Sequence, residues 1–293
     1  MPRLQQIVQL NHRFSAESQP MFSHFALLAT AVLTLGSPKG PKQVSPKHKQ
    51  EVAFARVNPA KMMTDDVNWL EAAREVQASQ GRIEHQLRRL SEDELNKYVV
   101  RHGSPKGLKV ALTFDDGPHP DFTPRIVEIL KAAQIPATFF MIGHMAETYP
   151  QMVRLVSSAG FEIANHTYSH VTLTKITNKQ AETEYRACTD MLSRLTGKPV
   201  RYCRPPGGDF DLNVLEAAYS QGLKTVLWTD DPGDYDNPGD QVLLETESSK
   251  LSSGGIILLH DGSKDTLDTL AKFIELCKKR GYRFVTLDEL TKN

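Results

Sequence analysis

From Leu108 onward, short runs of β-forming apolar residues alternate with segments of helical periodicity up to the end of the chain. Strand–helix–strand repeats of this kind require parallel strands that are joined by helical crossovers. Seven units fit an α/β fold, either an eight-unit barrel that lacks one unit or an open, doubly wound sheet. The predicted strands are Leu108–Phe114, Ala137–Ile142, Phe161–Asn165, Val200–Arg204, Leu223–Trp228, Ile256–His260 and Tyr282–Val285.

Three of the intervening segments carry signals for the boundaries of helices. Thr123 followed by Pro124 predicts a cap and then a proline in the first turn of a helix. A second helix is predicted over Thr177–Thr196, where apolar residues share one face and Gly197 ends the pattern. A third is predicted over Lys264–Arg280.

Residues 51–104 are predicted to form a short helical extension that precedes the alternating region. Between residues 66 and 100, apolar side chains recur at helical spacing, which indicates two or three short amphipathic helices. Ser91 and Glu94 resemble a capping box. Two interpretations stay open, because an apolar stripe suits either packing on the main domain or a contact surface that caps a substrate or binds a partner.

The first fifty residues resemble a processing segment rather than part of a fold. Phe25–Leu35 is an apolar run, too short to span a bilayer comfortably, and Arg3 and Arg13 precede it. It is predicted to be a signal-peptide core, which implies an extracytoplasmic protein that is secreted, periplasmic or tethered to the membrane by this run. A short buried helix is the alternative. Residues 37–50, rich in Pro and Lys, are predicted to be a disordered linker.

The charge composition argues against nucleic acid as a partner. The 35 Lys and Arg residues balance 35 Asp and Glu residues, so there is no basic surplus to attract phosphates. The cysteines, Cys188, Cys203 and Cys277, form no CxxC pattern, and an odd number cannot all pair within one chain. They are predicted to be buried free thiols.

Five of the predicted strands end in ionisable side chains. In parallel α/β folds, the carboxyl ends of the strands meet where the loops converge on the active site. A purely structural barrel has no use for so many charges at one end. The sequences at these strand ends are TFDDGP (113–118), HTYSH (166–170), RPPGG (204–208), WTDDPGDY (228–235) and LLHD (258–261).

Two histidines and a carboxylate from these strand ends form a ligand set for a divalent metal. Asp116, His166 and His170 are the predicted ligands, and three protein ligands leave one position open, as in catalytic zinc sites. Such a metal lowers the pKa of water and polarises a carbonyl. Adjacent side chains on an extended strand point to opposite faces, so Asp115 is predicted to be free to act as the general base. Arg204 is predicted to orient its carboxylate.

The same strand ends hold a candidate acid for a leaving nitrogen. His260 has an ordinary pKa near neutrality, and Asp234 is predicted to hold the imidazole and raise that pKa. A backbone N–H near Gly207 is predicted to stabilise an oxyanion. The inventory suits metal-assisted hydrolysis of an amide or an ester.

These motifs resemble those of the polysaccharide deacetylase family, carbohydrate esterase family four, whose catalytic unit is the NodB-homology domain. The resemblance covers about Lys109 to Leu290, so a catalytic domain is predicted over residues 105–293. TFDDGP and HTYSH match the first two motifs, and they imply the base and the metal ligands assigned above. The third motif matches through Arg204 and Pro206, the fourth through Asp231 and Asp234, and the fifth through Leu258 and His260.

The resemblance implies a distorted (β/α)7 barrel, to which the short helical N-terminal extension is added. It implies zinc, or another divalent metal such as cobalt, as the cofactor. It also implies an acetylated glycan as the partner: N-acetyl groups would be removed from amino sugars of a chitin-like polymer or of peptidoglycan. O-acetyl esters of xylan are the alternative substrate.

Two positions depart from the family pattern. Gly207 stands where an aromatic residue is usual, and Tyr235 stands where tryptophan is usual. These aromatic positions line the sugar groove in the family, so the departures leave the type of glycan open. The predicted substrate contacts are Gly207, Tyr235, Leu258 and Trp228.

Two functions from other classes stay open. A catalytically weak barrel that only binds glycans would keep the fold, although the full set of catalytic residues argues against it. An iron oxygenase with two histidines and one carboxylate would use an overlapping ligand set, but the neighbouring Asp, Arg and third His suit hydrolysis better. His119, directly after the first motif, is placed to reach the groove, but it is expected to be an exposed loop residue without a role.

Overall fold

The computed structural model describes residues 79–236, 243–244 and 251–292. Within this part of the chain eight strands form one sheet, and all of its strand pairings are parallel. The strands are β1 (Val99–Val100), β2 (Lys109–Gly117), β3 (Thr138–Met141), β4 (Glu162–Asn165), β5 (Tyr202–Cys203), β6 (Lys224–Val226), β7 (Gly255–His260) and β8 (Arg283–Phe284).

Helices connect most of the consecutive strands, because parallel neighbours require a crossover connection. They return the chain to the same end of the sheet before each new strand. The described α-helices are α1 (Ser79–Leu87), α2 (Glu92–Tyr98), α3 (Phe122–Ala133), α4 (Gly143–Thr148), α5 (Pro150–Ser158), α6 (Asn178–Thr196), α7 (Leu212–Ser220), α8 (Lys264–Lys279) and α9 (Leu287–Thr291).

The order of the strands is that of a barrel. Neighbouring strands follow the path β1-β6-β5-β4-β3-β2-β7, and β8 lies beside β2. Just beyond β6, the strand next to one end of the path, Asp230 pairs in parallel with Ile257 of β7 at the other end, and this bridge closes the path. The predicted (β/α)7 barrel is therefore confirmed, and the choice between a barrel and an open sheet is settled in favour of the barrel.

Strand β1 corrects the prediction that residues 66–100 are helical. Val99 and Val100 pair with Thr225 and Val226 of β6. Two β-branched residues suit a strand, but a run of two is too short to show a period of its own. The predicted capping box is confirmed at the start of α2, where the Ser91 hydroxyl accepts the N–H of Glu94 and the Glu94 side chain accepts the N–H of Ser91.

The predicted helix boundaries are confirmed for α6 but not for α3. Thr177 caps α6 and Gly197 ends it in a left-handed conformation. Helix α3 begins at Phe122, one residue before Thr123, so Thr123 is not its cap. The Thr123 hydroxyl donates instead to the buried carboxylate of Asp261, 2.5 Å away. A long-range partner overrides the local capping signal.

The core fixes the positions of the strand ends. Every residue of β2 after Lys109 is buried, because a parallel sheet is covered on both faces. Phe114 of β2 stacks on Phe139 of β3, with 5.1 Å between the ring centroids. The prediction of buried free thiols is confirmed for the three cysteines.

The predicted signal-like segment and linker, residues 1–50, lie outside the described residues, as do residues 51–78 of the predicted extension. Among the helices that the structure describes, none combines the length and the apolarity needed to cross a membrane.

Candidate active site

Asp115 and Asp116 lie just before Gly117, the last residue of strand β2, and their carboxylates converge on one neighbour. Asp116 has a left-handed backbone with φ 70°, and the pairing of β2 with β3 shifts its register between Phe114 and Gly117. Asp115 Oδ2 lies 3.8 Å, and Asp116 Oδ1 3.3 Å, from Nε2 of His166. The prediction of opposite faces is wrong, because the strand is no longer extended at this point.

Asp116, His166 and His170 bring three potential metal ligands together. Asp116 Oδ1 lies 3.3 Å from His166 Nε2 and 3.1 Å from His170 Nε2. This oxygen is buried, and no described residue makes a hydrogen bond to it. Ligand atoms that each lie about 2.0–2.1 Å from a tetrahedral zinc are about 3.3 Å apart. The separations and the unsatisfied oxygen therefore fit a divalent cation between these side chains.

The protonation of this trio follows from its burial and its charges. Burial alone would raise the pKa of Asp116, but the imidazoles of His170 and His166 outweigh it and hold that pKa well below its usual range. Burial opposes a charged imidazole at His170, and the Asp116 carboxylate nevertheless raises the pKa of His170. The carboxylate is therefore ionised, the form in which it ligates a metal.

The loop that carries the two histidines has a strained backbone. Thr167 and His170 adopt left-handed conformations, with φ 64° and 55°. The loop is fastened to β4 by Asn165, whose Oδ1 accepts the N–H of Thr167 at 2.7 Å. Non-glycine residues keep such conformations only where the surrounding structure enforces them. The loop is therefore built to present His166 and His170 together.

Arg204 connects the candidate base to a candidate ligand. Its carbonyl oxygen lies 2.8 Å from Nδ1 of His166, which leaves Nε2 to face Asp116. Its guanidinium is fully buried and donates to Asp115 Oδ1 at 2.7 Å and to Thr113 Oγ1 at 3.0 Å. A buried cation must be paired, so this ion pair holds the Asp115 carboxylate in one orientation.

His260 ends strand β7, and the register of the sheet places it opposite Asp115. Asp234 Oδ1 lies 2.8 Å from His260 Nδ1, and Asp234 Oδ2 accepts the His260 N–H at 2.8 Å. Asp234 is fully buried and also accepts from the hydroxyl of Thr266. Burial alone would lower the pKa of His260, but the Asp234 carboxylate outweighs it and raises the pKa to about 10. The Asp234 carboxylate therefore favours the protonated imidazole, and because it contacts Nδ1, it leaves Nε2 as the nitrogen available to a substrate.

The loop that follows β5 carries the candidate oxyanion donor. Pro205 and Pro206 have no N–H, and the N–H groups of Gly208 and Asp209 donate to the carbonyls of Pro205 and Pro206. Gly207 is therefore the loop's candidate donor. It has φ 61°, and no atom of the described residues lies within 4 Å of the position that a Cβ would take. Among these residues, no neighbour takes the place of the missing aromatic side chain.

The remaining predicted substrate contacts differ in how much surface they offer. Tyr235 is 8% exposed, and its ring meets the imidazole of His260 edge-on, 5.1 Å between centroids. The Tyr235 hydroxyl donates to Asp231 Oδ2 at 3.3 Å. Trp228 is 6% exposed and packs beside the Arg204 guanidinium. Leu258 is fully buried within β7, so it supports the core and has no surface for a sugar.

Comparison with known proteins agrees with this geometry. A sequence model described as polysaccharide deacetylase matches residues 102–226. A peptidoglycan-N-acetylglucosamine deacetylase of Bacillus cereus is 38% identical over 186 residues, which cover 62% of this chain and 87% of that protein. The chain belongs to the polysaccharide deacetylase family. The named deacetylases of this family are hydrolases that act on the amide bonds of N-acetylated amino sugars, and the family generally depends on a metal.

Solved structures of the family superimpose on this chain. The crystal structure of a peptidoglycan N-acetylglucosamine deacetylase bound to an N-hydroxybenzamide is 34% identical, with a TM-score of 0.65, and covers 68% of this chain and 95% of that one. A family-four pseudoenzyme from Bacillus anthracis is 28% identical, with a TM-score of 0.64 and 70% of each chain covered. The fold alone therefore does not make a deacetylase active. Activity of this chain depends on the candidate catalytic side chains at its strand ends.

His119 has a structural role that the sequence did not indicate. Its ring is half-buried against Phe122, with 4.8 Å between centroids. Its Nδ1 accepts the N–H groups of Asp121 and Phe122 at 3.1 and 3.3 Å. His119 therefore caps helix α3, and the expectation of an exposed histidine without a role is wrong.

Glu184 is a second residue that the sequence did not single out. From helix α6, its Oε2 accepts the N–H groups of Tyr168 and Ser169 at 3.0 and 2.7 Å, and its Oε1 accepts the Ser169 hydroxyl at 2.6 Å. One carboxylate therefore holds the segment between the two candidate ligands, His166 and His170. One glutamate among several charged side chains of an amphipathic helix gives no signal for this role in the sequence.

We expect Glu184→Ala to lower the affinity for zinc by about 10- to 100-fold, because partners that orient metal ligands contribute about that much. Glu184→Gln keeps an acceptor and should lose less. Asp190→Ala removes an exposed carboxylate from the same helix and serves as the control. Competition with a chromophoric chelator measures the dissociation constants, and an unchanged constant for Glu184→Ala would contradict the role.

Proposed function

We propose that this protein hydrolyses the N-acetyl group of N-acetylglucosamine residues in peptidoglycan, with zinc as its divalent metal. One observation carries the proposal: a ligand trio, an arginine-held carboxylate and a carboxylate-held imidazole meet at the same strand ends of one barrel. This is the inventory that amide hydrolysis requires. The similar deacetylases from Bacillus cereus support the choice of substrate.

Asp116, His166 and His170 would hold the metal. When bound there, a divalent cation supplies Lewis acidity, which polarises the acetyl carbonyl and makes water a stronger acid. The nitrogen-rich ligand set favours zinc or another transition metal over magnesium or calcium, which prefer oxygen ligands.

Asp115 acts as the general base. Arg204 occupies its Oδ1, so Oδ2, which faces His166 Nε2 at 3.8 Å, receives the proton of the attacking water. The water oxygen forms a bond to the acetyl carbon, and the carbonyl electrons move onto the carbonyl oxygen. The N–H of Gly207 stabilises the charge that develops on this oxygen.

His260 acts as the general acid. Its Nδ1 is held by Asp234, so the proton that it transfers is the one on Nε2. When the C–N bond breaks, the nitrogen takes this proton and leaves as the amine of the sugar, and the acetyl group leaves as acetate. A positioned acid of this kind contributes about 10²- to 10⁴-fold to the rate.

Release of acetate tests the proposed function. Zinc-loaded protein is incubated with peptidoglycan fragments, with chitooligosaccharides and with acetylxylan, and acetate is measured enzymatically. The proposal predicts the highest kcat/KM on peptidoglycan fragments. Preference for chitooligosaccharides would replace peptidoglycan by a chitin-like substrate. Preference for acetylxylan would favour an O-acetyl esterase. Release of no acetate from any of the three would support a barrel that only binds glycans.

The Asp234–His260 pair predicts a dependence on pH. The pKa of His260 is raised from 6.5 to about 10, so its protonated form is present at neutral pH and is lost only as the pH rises through the raised value. Asp234→Asn removes the charge that raises this pKa, while the burial that lowers it remains. We expect the alkaline limb of kcat/KM to move to lower pH by more than about one unit. If the alkaline limb of kcat/KM does not move in Asp234→Asn, His260 is excluded as the general acid.

An extracytoplasmic location is part of the proposal. Peptidoglycan lies outside the cytoplasmic membrane, and the apolar run Phe25–Leu35 is predicted to direct export. Fusion of residues 1–50 to a reporter that is active only after export tests this prediction, with a fusion that lacks residues 25–35 as the control.

A further inference from the structure

We propose that helix α1 orders the loop Pro206–Asp209, and that two of its side chains, Ile83 and Gln86, thereby orient the N–H of Gly207. The proposal rests on the proposed function only for its effect on turnover. Helix α1 lies before the residues that match the family model, 102–226, so this support belongs to the extension of this chain rather than to the motifs of the family.

Ile83 makes the apolar part of the contact. It is buried, and it packs on Gly208 so closely that a Cβ on Gly208 would lie 2.7 Å from Ile83 Cδ1 and 2.7 Å from the Trp228 ring. Gly208 also has φ 63°, a conformation that favours glycine. The loop backbone is therefore enclosed between a residue of α1 and the tryptophan that follows β6.

Gln86 makes the polar part of the contact. Its Nε2 donates to Asp209 Oδ1 at 2.7 Å, and the Thr174 hydroxyl donates to Asp209 Oδ2 at 2.5 Å. Thr174 belongs to the segment that follows the ligand His170. Both oxygens of Asp209 are therefore tied, one to α1 and one to the chain beyond the candidate metal site.

The loop needs such support because its own sequence is flexible. Gly207 and Gly208 are adjacent, both with positive φ, and glycine loses more conformational freedom on ordering than any other residue. In the part of the chain that the structure describes, no atom lies within 4 Å of the point where a Cβ on Gly207 would stand. An oxyanion donor is effective only when it is already in place before the reaction. The contacts of Gly208 and Asp209, the two residues that follow Gly207, hold the Gly207 N–H in place.

The test uses the full-length protein with Gln86→Glu, which sets a second carboxylate against Asp209. His85→Ala, at an exposed position of the same helix, is the control. The double variant Gln86→Glu with Asp209→Asn reverses donor and acceptor and restores the hydrogen bond. Hydrogen exchange of a peptide that spans residues 204–210 reports the loop directly, and kcat and KM on the peptidoglycan fragments report turnover.

We expect Gln86→Glu to accelerate exchange in this peptide by at least about tenfold and to lower kcat by about 10- to 100-fold with little change in KM, since a small misplacement of a catalytic group costs about that much. The double variant Gln86→Glu with Asp209→Asn should recover both quantities. An unchanged rate of hydrogen exchange would overturn the proposal, and so would faster hydrogen exchange with a wild-type kcat. Ile83→Ala should act in the same direction, and Ile83→Leu should retain activity.

The two proposals fail in different ways. If the wild-type protein releases no acetate, the proposed function fails, while the exchange measurement still decides whether α1 orders the loop. If kcat falls together with the melting temperature and the double variant restores neither, α1 is only a packing element and the inference is overturned.

Discussion

Asp115→Asn is expected to lower kcat by about 10²- to 10⁴-fold, the range that a positioned general base contributes. The amide is nearly the same size as the carboxylate but cannot accept the proton of the attacking water. In this site Asp115 Oδ1 is occupied by Arg204 at 2.7 Å. The substitution therefore removes the base, together with the negative charge that pairs with the buried Arg204 guanidinium, while the shape of the side chain stays nearly the same.

The diagnostic feature of Asp115→Asn is that the metal is retained. Asp115 is not among the three side chains that offer ligand atoms, so we expect the zinc content and the zinc dissociation constant to stay within about threefold of wild type, well below the effect of losing a supporting partner. Asp121→Asn, an exposed carboxylate on the loop before α3, is the matched control. A fully active Asp115→Asn protein would exclude Asp115 as the base, whereas an inactive protein that has also lost zinc would make Asp115 a ligand.

His166→Ala is expected to have the second large effect, through the metal itself. His166 Nε2 lies 3.3 Å from Asp116 Oδ1, and its loss leaves two protein ligands of three. We expect the affinity for zinc to fall by more than about 100-fold, because the loss of a ligand exceeds the 10- to 100-fold effect of its supporting partners. Activity at low zinc should fall with it, and excess zinc should recover part of it.

Recovery by excess zinc separates the role of His166 from that of Asp115, since added metal cannot replace a missing base. His102→Ala serves as the control, because His102 is exposed and bonds only the carbonyl of its neighbour, Gly103, among the contacts of its ring with described residues. Wild-type zinc affinity in His166→Ala would remove His166 from the ligand set.

The positions of the candidate catalytic residues could be predicted because parallel strands bring their carboxyl ends together. The strand runs are strongly apolar, so Asp115, His166, Arg204 and His260 stand out directly after them. The ligand trio follows from the same pattern. Its geometry also depends on the loop that follows β4, where Thr167 and His170 have positive φ and Glu184 holds the segment between the two histidines.

The backbone at Asp116 could not be predicted in the same way. The rule that side chains alternate holds for an extended strand, and the left-handed φ of 70° at Asp116 breaks it. An aspartate tolerates this conformation better than most residues, but no sequence pattern marks it. The assignment of separate roles to the two carboxylates therefore rests on their contacts rather than on the faces of the strand.

The supporting residues were invisible in the sequence for a different reason. Glu184 and Asp209 act on partners that are 15 to 123 residues away. A single carboxylate on a helix or in a loop is usually a solvated charge. Only the fold shows that these two are tied to loops of the site.

The location of the metal tests the central claim most directly. Crystals of the protein with one equivalent of zinc are measured on both sides of the zinc absorption edge, so that anomalous scattering locates the ion. We predict one peak at about 2.0–2.2 Å from Asp116 Oδ1 and from Nε2 of His166 and His170. Zinc bound at other residues, or these three side chains turned away from one another with no peak between them, would contradict it.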